Sequence, residues 1–252
     1  MRSPLTQREA VDPRLRGELR YGLELAQLAA DPRFLRPRRQ ASAASVLLVP
    51  GFMAGDPSLG VLAGWLRRRG SRTAAAGLRL NVDCSERIVT GLQARLRRLA
   101  LRAQRPVVIV GQSRGGELAR VLAVRNPQLV GALVMLGSPV LDPLDVGPGT
   151  LRAVQTIARL GDLGVPRMFS TSCGDGPCCE QFRTDLAAPL PESVHAHAVY
   201  SKTDGIVSWR ACLDPYATHV EVDSSHCGMS VNRAVYRVLT EVLEDEERRW
   251  TG

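Results

Sequence analysis

The chain has 252 residues, 44% hydrophobic and 23% charged, which is the composition of a globular protein with a sizeable core. Its net charge of +8 comes almost entirely from arginines scattered along helical patterns, and with only 4% aromatic residues to stack on bases it does not indicate nucleic-acid binding. No stretch is apolar enough for an integral membrane span and the first residues lack a signal-peptide core, so we expect a cytoplasmic protein.

Residues 1–44 are predicted as an N-terminal helical appendage, and residues 45–252 as one domain. In the appendage, "GELRYGLELAQLAA" predicts an amphipathic helix. Strands are then predicted, in chain order, in "SVLLVPG", "TAAAGLRL", "PVVIVG", "LVGALVMLGSP", "SVHAHAVYS" and "THVEVDSSH". Helices are predicted between and after them in "PSLGVLAGWLRRRG", "SERIVTGLQARLRRLALRAQ" with Ser85 as its N-cap, "GGELARVLAVRNP" and "NRAVYRVLTEVLEDEERR". This alternation predicts an α/β fold with a mostly parallel central sheet and helices on both faces.

The alternation breaks at about residues 140–190, which are rich in proline, glycine and cysteine and contain one helical pattern, "GTLRAVQTIARLG". We predict that this segment is a small cap-like insertion over the carboxyl ends of the strands. Ligands of open α/β sheets bind at that edge.

One strand-to-helix junction reads Gly111-Gln112-Ser113-Arg114-Gly115, between the apolar run "VVIV" and the helical pattern "ELARVLA". Small residues two positions on either side of a serine let the chain turn sharply and expose the hydroxyl, as in a nucleophile elbow. The pattern therefore makes Ser113 a candidate nucleophile.

A serine nucleophile needs a base, and the base needs a carboxylate to orient it. His226 and Asp204 each follow a predicted strand, so both would emerge at the same edge of the sheet as Ser113. Asp175, in the insertion, and Asp223, inside a strand pattern, are reserve acids. The other histidines lie in strand patterns and are predicted to be packed side chains: His195, His197 and His219.

An acyl-transfer site also needs backbone donors for the oxyanion. The N–H of Arg114, directly after the nucleophile, is one candidate. The loop "PGFMAGD" after the first strand offers Gly51 and Phe52 as the second, although a Pro-Gly turn there could equally be a simple strand stop.

The six cysteines do not predict a metal site. Cys173, Cys178 and Cys179 crowd one loop, but the spacing C-x4-CC fits no common zinc pattern and no histidine pair has helical metal-ligand spacing. We expect neither a metal nor another cofactor. The redox state of the cysteines, Cys84 included, stays open.

Four pieces, "LLVPGF", "VGQSRGG", "YSKTDGIVSW" and "VDSSHCGM", resemble the α/β-hydrolase superfamily, especially its bacterial lipase and esterase branch, and the resemblance covers residues 45–248. It implies that Ser113 is the nucleophile, Asp204 the acid and His226 the base, with Phe52 and Arg114 as backbone oxyanion donors. Gln112 stands where a histidine often precedes the serine. The large, cationic side chain of Arg114 suggests a substrate with a nearby negative charge.

The resemblance implies a serine hydrolase acting on a small or lipid-like carboxylic ester. An acyltransferase or thioesterase of a biosynthetic pathway would use the same triad, and a non-catalytic binding protein is the third interpretation. A disulfide between Cys212 and Cys227 is a further hypothesis, because each follows a catalytic candidate closely. The oligomeric state is not indicated by the sequence.

Overall fold

The computed structural model describes residue 18, residues 20–39 and residues 44–251 of the chain. The predicted appendage of residues 1–44 therefore lies partly outside the described residues. Within the described part, no helix combines the length and the apolar content that a membrane crossing requires.

Six parallel strands form one sheet in the order β2-β1-β3-β4-β5-β6. The strands are Ser45–Val49 (β1), Arg72–Ala75 (β2), Val107–Gln112 (β3), Val130–Leu136 (β4), His195–Tyr200 (β5) and Thr218–Glu221 (β6). The predicted parallel sheet is confirmed. The edge strands β2 and β6 are shorter than their patterns suggested and are less buried than the central strands β1, β3 and β4.

Nine α-helices occur in the described part of the chain. They are Tyr21–Ala29 (α1), Pro32–Leu35 (α2), Gly60–Arg68 (α3), Ser85–Ala103 (α4), Arg114–Arg125 (α5), Pro148–Asp162 (α6), Ser172–Asp175 (α7), Glu180–Ala187 (α8) and Arg233–Thr251 (α9). The sequence patterns did not predict α2, α7 and α8. The predicted cap at Ser85 is wrong: Cys84 holds the N-cap position of α4, and the Ser85 hydroxyl instead accepts a hydrogen bond from Arg114.

Helices cover both faces of the sheet, as predicted. Successive side chains of a strand point to opposite faces, so each apolar central strand contributes to a core on either side of the sheet. Val46 and Leu48 of β1 pack in a core with residues of α1, α3 and α9. Leu47 and Val49 pack in a second core with residues of α4, α5 and α8. The central strands are therefore apolar throughout, as in parallel sheets buried on both sides.

The chain between β4 and β5 contains α6, α7 and α8. An isolated antiparallel bridge joins Val146 in this segment to Val207, after β5. The backbone N–H of Phe169 donates to the carbonyl of Val82 at 2.8 Å, and the Phe169 ring lies 6.1 Å from that of Phe52. The segment thus contacts loops at the carboxyl ends of β1 and β2, while its role as a cap-like insertion stays a prediction.

A buried ion pair ties α5 to the loop between β5 and β6. Arg120 Nε and Nη2 donate to the two carboxylate oxygens of Asp214 at 2.6 and 3.3 Å, and Arg120 Nη1 donates to the carbonyl of Leu186 at 2.7 Å. The two charged side chains are 3% and 0% exposed. Removing one partner leaves the other charge buried without compensation.

We therefore expect Asp214→Ala to lower the free energy of unfolding by about 3–5 kcal/mol, measured by urea denaturation. The control is Arg87→Ala, which removes a pair with Asp83 in which the arginine is 65% exposed. That change should cost at most about 1 kcal/mol. Equal effects of the two substitutions would contradict the assignment of Asp214 as a stabilising residue.

Candidate active site

Ser113 lies at a sharp turn between β3 and α5. Its φ of 52° and ψ of −130° are a backbone conformation that residues other than glycine rarely adopt. A Cβ on Gly111 would collide with the carbonyl oxygen of Gly115, and a Cβ on Gly115 with the carbonyl oxygen of Val49. The Ser113 N–H donates to the carbonyl of Leu136 at 2.8 Å. Glycine is needed at both positions because the backbone segments pass too close to each other for a side chain. The hydrogen bond from the Ser113 N–H to Leu136 holds the strained serine in place.

Asp204 and His226 form a buried pair, 4% and 5% exposed. His226 Nδ1 donates to Asp204 Oδ2 at 2.6 Å, while Asp204 Oδ1 accepts the N–H groups of Ile206 and Val207, each at 2.8 Å. The carboxylate is thus held by three donors. This leaves Nε2 of His226 as the imidazole nitrogen that can take a proton.

This pair lies beside the elbow at the carboxyl edge of the sheet. Gln112 Nε2 donates to the carbonyl of His226 at 3.0 Å, and a Cβ on Gly137, directly after β4, would lie 3.2 Å from both Asp204 Oδ2 and His226 Nδ1. Among the described residues, no hydrogen bond links the Ser113 hydroxyl to the His226 ring. The structure therefore joins two of the three predicted catalytic side chains directly and places the third on a neighbouring turn.

The surroundings of His226 act on its pKa in opposite directions. Burial lowers the pKa of the imidazole, but the charge and hydrogen bond of Asp204, together with the charge of Glu18, outweigh burial and raise the pKa above its ordinary value. The imidazole is therefore protonated at pH values where a free histidine is already neutral.

Glu18 connects the loops that carry the predicted acid, Asp204, and the predicted base, His226. Its Oε1 accepts the N–H of His226 at 2.7 Å and the N–H of Gly205 at 3.3 Å, and its Oε2 accepts the N–H of Cys227 at 2.9 Å. The carboxylate thus fixes the backbone of the predicted base from outside the predicted domain. The sequence patterns gave no sign of this role.

Glu24, in α1, is 3% exposed and adds a second support to the same loop. Its Oε1 accepts the N–H of Ser225 at 2.8 Å and its Oε2 accepts the Ser225 hydroxyl at 3.0 Å. A Cβ on Gly228 would collide with this carboxylate, so the glycine makes room for it. Glu24 lies one turn before the buried Leu28, on the same side of α1. An acid on the apolar side of an amphipathic helix is the sequence feature that could have indicated its structural role.

The loop after β1 lies against Ser113, the predicted nucleophile. A Cβ on Gly51 would be 3.2 Å from the Cβ of Ser113. Fully buried Asn81 holds the loop, because its Nδ2 donates to the carbonyl of Pro50 at 2.8 Å. The backbone of Phe52, the predicted oxyanion donor, thus follows directly on the residue in contact with Ser113.

The side chain of Arg114 is engaged inside the protein. Its Nη1 donates to the backbone and side-chain oxygens of Asn81 at 3.0 and 2.9 Å, and its Nη2 donates to the carbonyl of Asp83 at 2.7 Å and the hydroxyl of Ser85 at 3.0 Å. The guanidinium also lies 5.1 Å from the centre of the Phe169 ring. Its donors thus join the elbow to Asn81, which holds the loop after β1, and to the start of α4. All of these acceptors are neutral, so the expectation that the positive charge attracts a charged substrate group stays a prediction.

Glu117, in the first turn of α5, is a buried acid that the sequence reading did not single out. Burial raises its pKa to about 8, although the charge of Arg114 acts in the opposite direction. The side chain is therefore mostly neutral at pH 7, and it adds no full negative charge beneath the elbow.

The other three histidines have their own partners or surroundings. His195 Nδ1 lies 3.0 Å from Glu246 Oε1, and His219 Nε2 lies 2.7 Å from the carbonyl of Asp214. Burial lowers the pKa of His197. All three lie on β5 or β6 rather than in the loops that leave those strands. His195 and His197 are half-buried, but His219 is exposed, so the prediction of a packed side chain is wrong for His219.

Neither reserve acid contacts His226. Asp223 accepts two hydrogen bonds from Arg20, each at 3.0 Å, and one from the hydroxyl of Thr203 at 2.9 Å. Asp175 is exposed at the end of α7, and its carbonyl accepts from Arg183. Of the three candidate acids, Asp204 is thus the one whose carboxylate contacts His226.

The hypothesis of a disulfide between Cys212 and Cys227 is wrong, because both are free thiols. Cys212 is buried beside Val146 and Val207, with its Sγ directed at the carbonyl of Ser208 at 3.7 Å, whereas Cys227 is exposed. The two side chains lie in different environments, and the acid and base loops are joined by Glu18 instead.

Comparison with solved structures places this architecture among known ones. The mature lipase BlEst2 of Bacillus licheniformis is 16% identical over 84% of this chain and 96% of its own, with a TM-score of 0.60. MGS-MChE2, an α/β-hydrolase enzyme from a sediment metagenome of the Mar Chica lagoon in Morocco, is 17% identical over 83% and 94%, with a TM-score of 0.55. The α/β-hydrolase domain-containing protein 10 of mouse is 16% identical over 82% and 90%, with a TM-score of 0.53.

No protein-family model and no curated protein matches the sequence. At 16–17% identity, the structural likeness concerns the arrangement of strands and helices. The fold that the sequence resemblance implied is confirmed: the chain has the fold of the α/β-hydrolase superfamily.

Proposed function

We propose that the protein is a serine hydrolase that cleaves carboxylic esters through an acyl-enzyme on Ser113. The observation that carries the proposal is the buried pair of Asp204 and His226, joined at 2.6 Å, at the sheet edge beside the strained Ser113. A packed structural histidine needs no carboxylate held by two further N–H donors, whereas a general base needs one that fixes its tautomer.

In the first half of the reaction, Nε2 of His226 takes the hydroxyl proton of Ser113 as Oγ attacks the ester carbonyl carbon. The backbone N–H groups of Phe52 and Arg114 donate to the resulting oxyanion. When the tetrahedral intermediate collapses, the bond to the alcohol breaks and the alkoxide leaves with the proton from His226. The acyl group is now esterified to Ser113.

In the second half, His226 takes a proton from water as the water oxygen attacks the acyl carbonyl. The second tetrahedral intermediate expels Ser113 Oγ, which recovers the proton, and the carboxylic acid leaves. Asp204 holds the Nδ1–H of His226 throughout and balances the charge of the imidazolium.

The Ser113 hydroxyl must turn toward His226 for the first step, because it makes no hydrogen bond to the ring among the described residues. Catalytic hydrogen bonds often tighten only when substrate fills the site. The lipase among the proteins of the same fold supports the hydrolase class. The contacts of the segment between β4 and β5 with the loop after β1 support a site for the acyl group between them.

The test is labelling with a fluorophosphonate probe, followed by peptide mapping, together with hydrolysis of nitrophenyl esters of increasing chain length. We expect one probe per chain, on the peptide that contains Ser113, and no label on Ser113→Ala. Absence of both labelling and hydrolysis in the folded protein would favour a non-catalytic binding protein. Faster transfer to an added alcohol than to water would favour an acyltransferase, and a strong preference for thioesters would favour a thioesterase.

A further inference from the structure

Four cysteine sulfurs converge outside the catalytic side chains. Among the described residues, Cys84, Cys173, Cys178 and Cys179 form a group whose Sγ atoms all lie within 4.8 Å of one another. The closest pairs are Cys84 and Cys179 at 3.4 Å, Cys173 and Cys178 at 3.6 Å, and Cys178 and Cys179 at 3.9 Å. All four are free thiols.

The spacing of these sulfurs is that of ligands around a single ion. Four thiolates bound tetrahedrally with Zn–S bonds of about 2.3 Å lie about 3.8 Å from one another. The measured separations bracket this length, and they are far longer than the bond of about 2.05 Å in a disulfide. Thiolates are soft ligands, which favours zinc over magnesium or calcium.

The ligands come from two distant segments of the chain. Cys84 precedes α4, which packs against the sheet, whereas the other three lie in and between α7 and α8 of the segment between β4 and β5. No metal was expected from the sequence, because the C-x4-CC spacing fits no common zinc pattern and no histidine pair has metal-ligand spacing. Folding supplies the fourth sulfur, Cys84, which no local spacing pattern could reveal.

We infer that Cys84, Cys173, Cys178 and Cys179 bind one Zn²⁺ in a closed structural site that fastens the segment between β4 and β5 to the start of α4. Zinc binding releases the four thiol protons and leaves a complex with net charge −2. With four protein ligands, no coordination position remains for water or substrate, so the site is structural rather than catalytic.

Positive and polar groups around the cysteines suit such a complex. Arg183 donates to the carbonyls of Cys173, Asp175 and Gly176, which closes the loop that carries three ligands. Arg114 binds the carbonyl of Asp83 and the hydroxyl of Ser85 on either side of Cys84. The site therefore shares a support with the nucleophile elbow, while its assignment does not depend on the proposed function.

The test measures metal directly. The full chain, purified with a reductant and supplied with zinc, should carry one zinc per chain by native mass spectrometry and elemental analysis. Replacement by Co²⁺ should give the visible bands of tetrahedral thiolate coordination. Cys178→Ser, at an exposed ligand, and Cys84→Ser, at a buried one, should each lower the affinity for metal at least about tenfold.

Two cysteines outside the group provide matched controls, since Cys227 is exposed and Cys212 is buried. Cys227→Ser and Cys212→Ser should retain one zinc and the unchanged cobalt spectrum. Zinc content that falls equally in control and ligand variants would overturn the assignment. So would a chain without metal whose four thiols are all alkylated in the folded state, or a mass lower by two hydrogens for each of two cysteine pairs.

Discussion

Replacement of Ser113 by alanine is expected to lower kcat for ester hydrolysis by about 10⁶-fold, equivalent to about 8 kcal/mol of transition-state stabilisation. The substitution removes the only atom that forms the acyl bond, whereas the backbone donors and the Asp204–His226 pair stay in place. The variant should therefore still exceed the uncatalysed rate by about 10³–10⁴-fold. Steady-state kinetics with a nitrophenyl ester measure both quantities.

Ser71→Ala is the matched control for this loss. Ser71 is buried, whereas Ser113 is half-buried; the Ser71 hydroxyl has no hydrogen-bond partner, and the residue lies directly before β2, at the amino end of that strand. We expect wild-type kcat from it. Substantial turnover by Ser113→Ala that resists further purification would show that another nucleophile performs the reaction.

Replacement of Asp204 by asparagine is expected to lower kcat by about 10⁴-fold with little change in fold. The new amide would donate toward Nδ1 of His226 and favour the tautomer that carries its proton on Nε2. An imidazole in that tautomer cannot accept the Ser113 proton. Far-ultraviolet circular dichroism would verify that the loss of kcat does not come from unfolding.

The pH profile separates this effect from general damage to the site. The base must be neutral, so wild-type kcat/KM should fall as the pH drops through the pKa of His226, which Asp204 and Glu18 raise above the ordinary value of about 6.5. Without the Asp204 charge, burial dominates and the pKa of His226 falls. The acidic limb of Asp204→Asn should therefore move to lower pH.

Asp223→Asn provides the comparison for that experiment, because this carboxylate lies near the base loop but pairs with Arg20. Its kcat should stay within about threefold of the wild-type value, since exposed ion pairs contribute little. If Asp223→Asn instead lost kcat as severely as Asp204→Asn, the reserve acid would be the true partner of the base.

The sheet was predictable because its central strands are short apolar runs separated by amphipathic helical patterns. In a run such as "VVIV" the side chains on both faces of the strand are apolar, so both faces must be covered, as they are in a parallel sheet between two layers of helices. The short helices α7 and α8 were not predictable in this way, because α7 has only four residues and α8 buries only Phe182 and Leu186. The prediction of Ser85 as the N-cap was wrong, because its hydroxyl accepts a hydrogen bond from Arg114, which is distant in sequence.

The candidate site likewise contains residues that the sequence patterns predict and residues that they do not. Ser113, Asp204 and His226 stand where strands end, and the shared edge of a parallel sheet brings such positions together. The residues that hold them were hidden, because Glu18, Glu24 and Asn81 act through contacts with loops far along the chain. Their partners are mostly backbone groups, which leave no pattern in the side-chain sequence.

The two glutamates before and within α1 have a consequence for chains shortened at the amino end. Removal of residues 1–30 would strip the amide groups of Gly205, Ser225, His226 and Cys227 of their acceptors, and it would also remove the α1 side chains from the core that covers one face of the sheet. The imidazole of His226 would then lie in a loop, between β6 and α9, whose backbone has lost these hydrogen bonds. If the protein is the proposed hydrolase, limited proteolysis near this end is expected to lower turnover, and the amino-terminal segment would then be a point at which activity can be controlled.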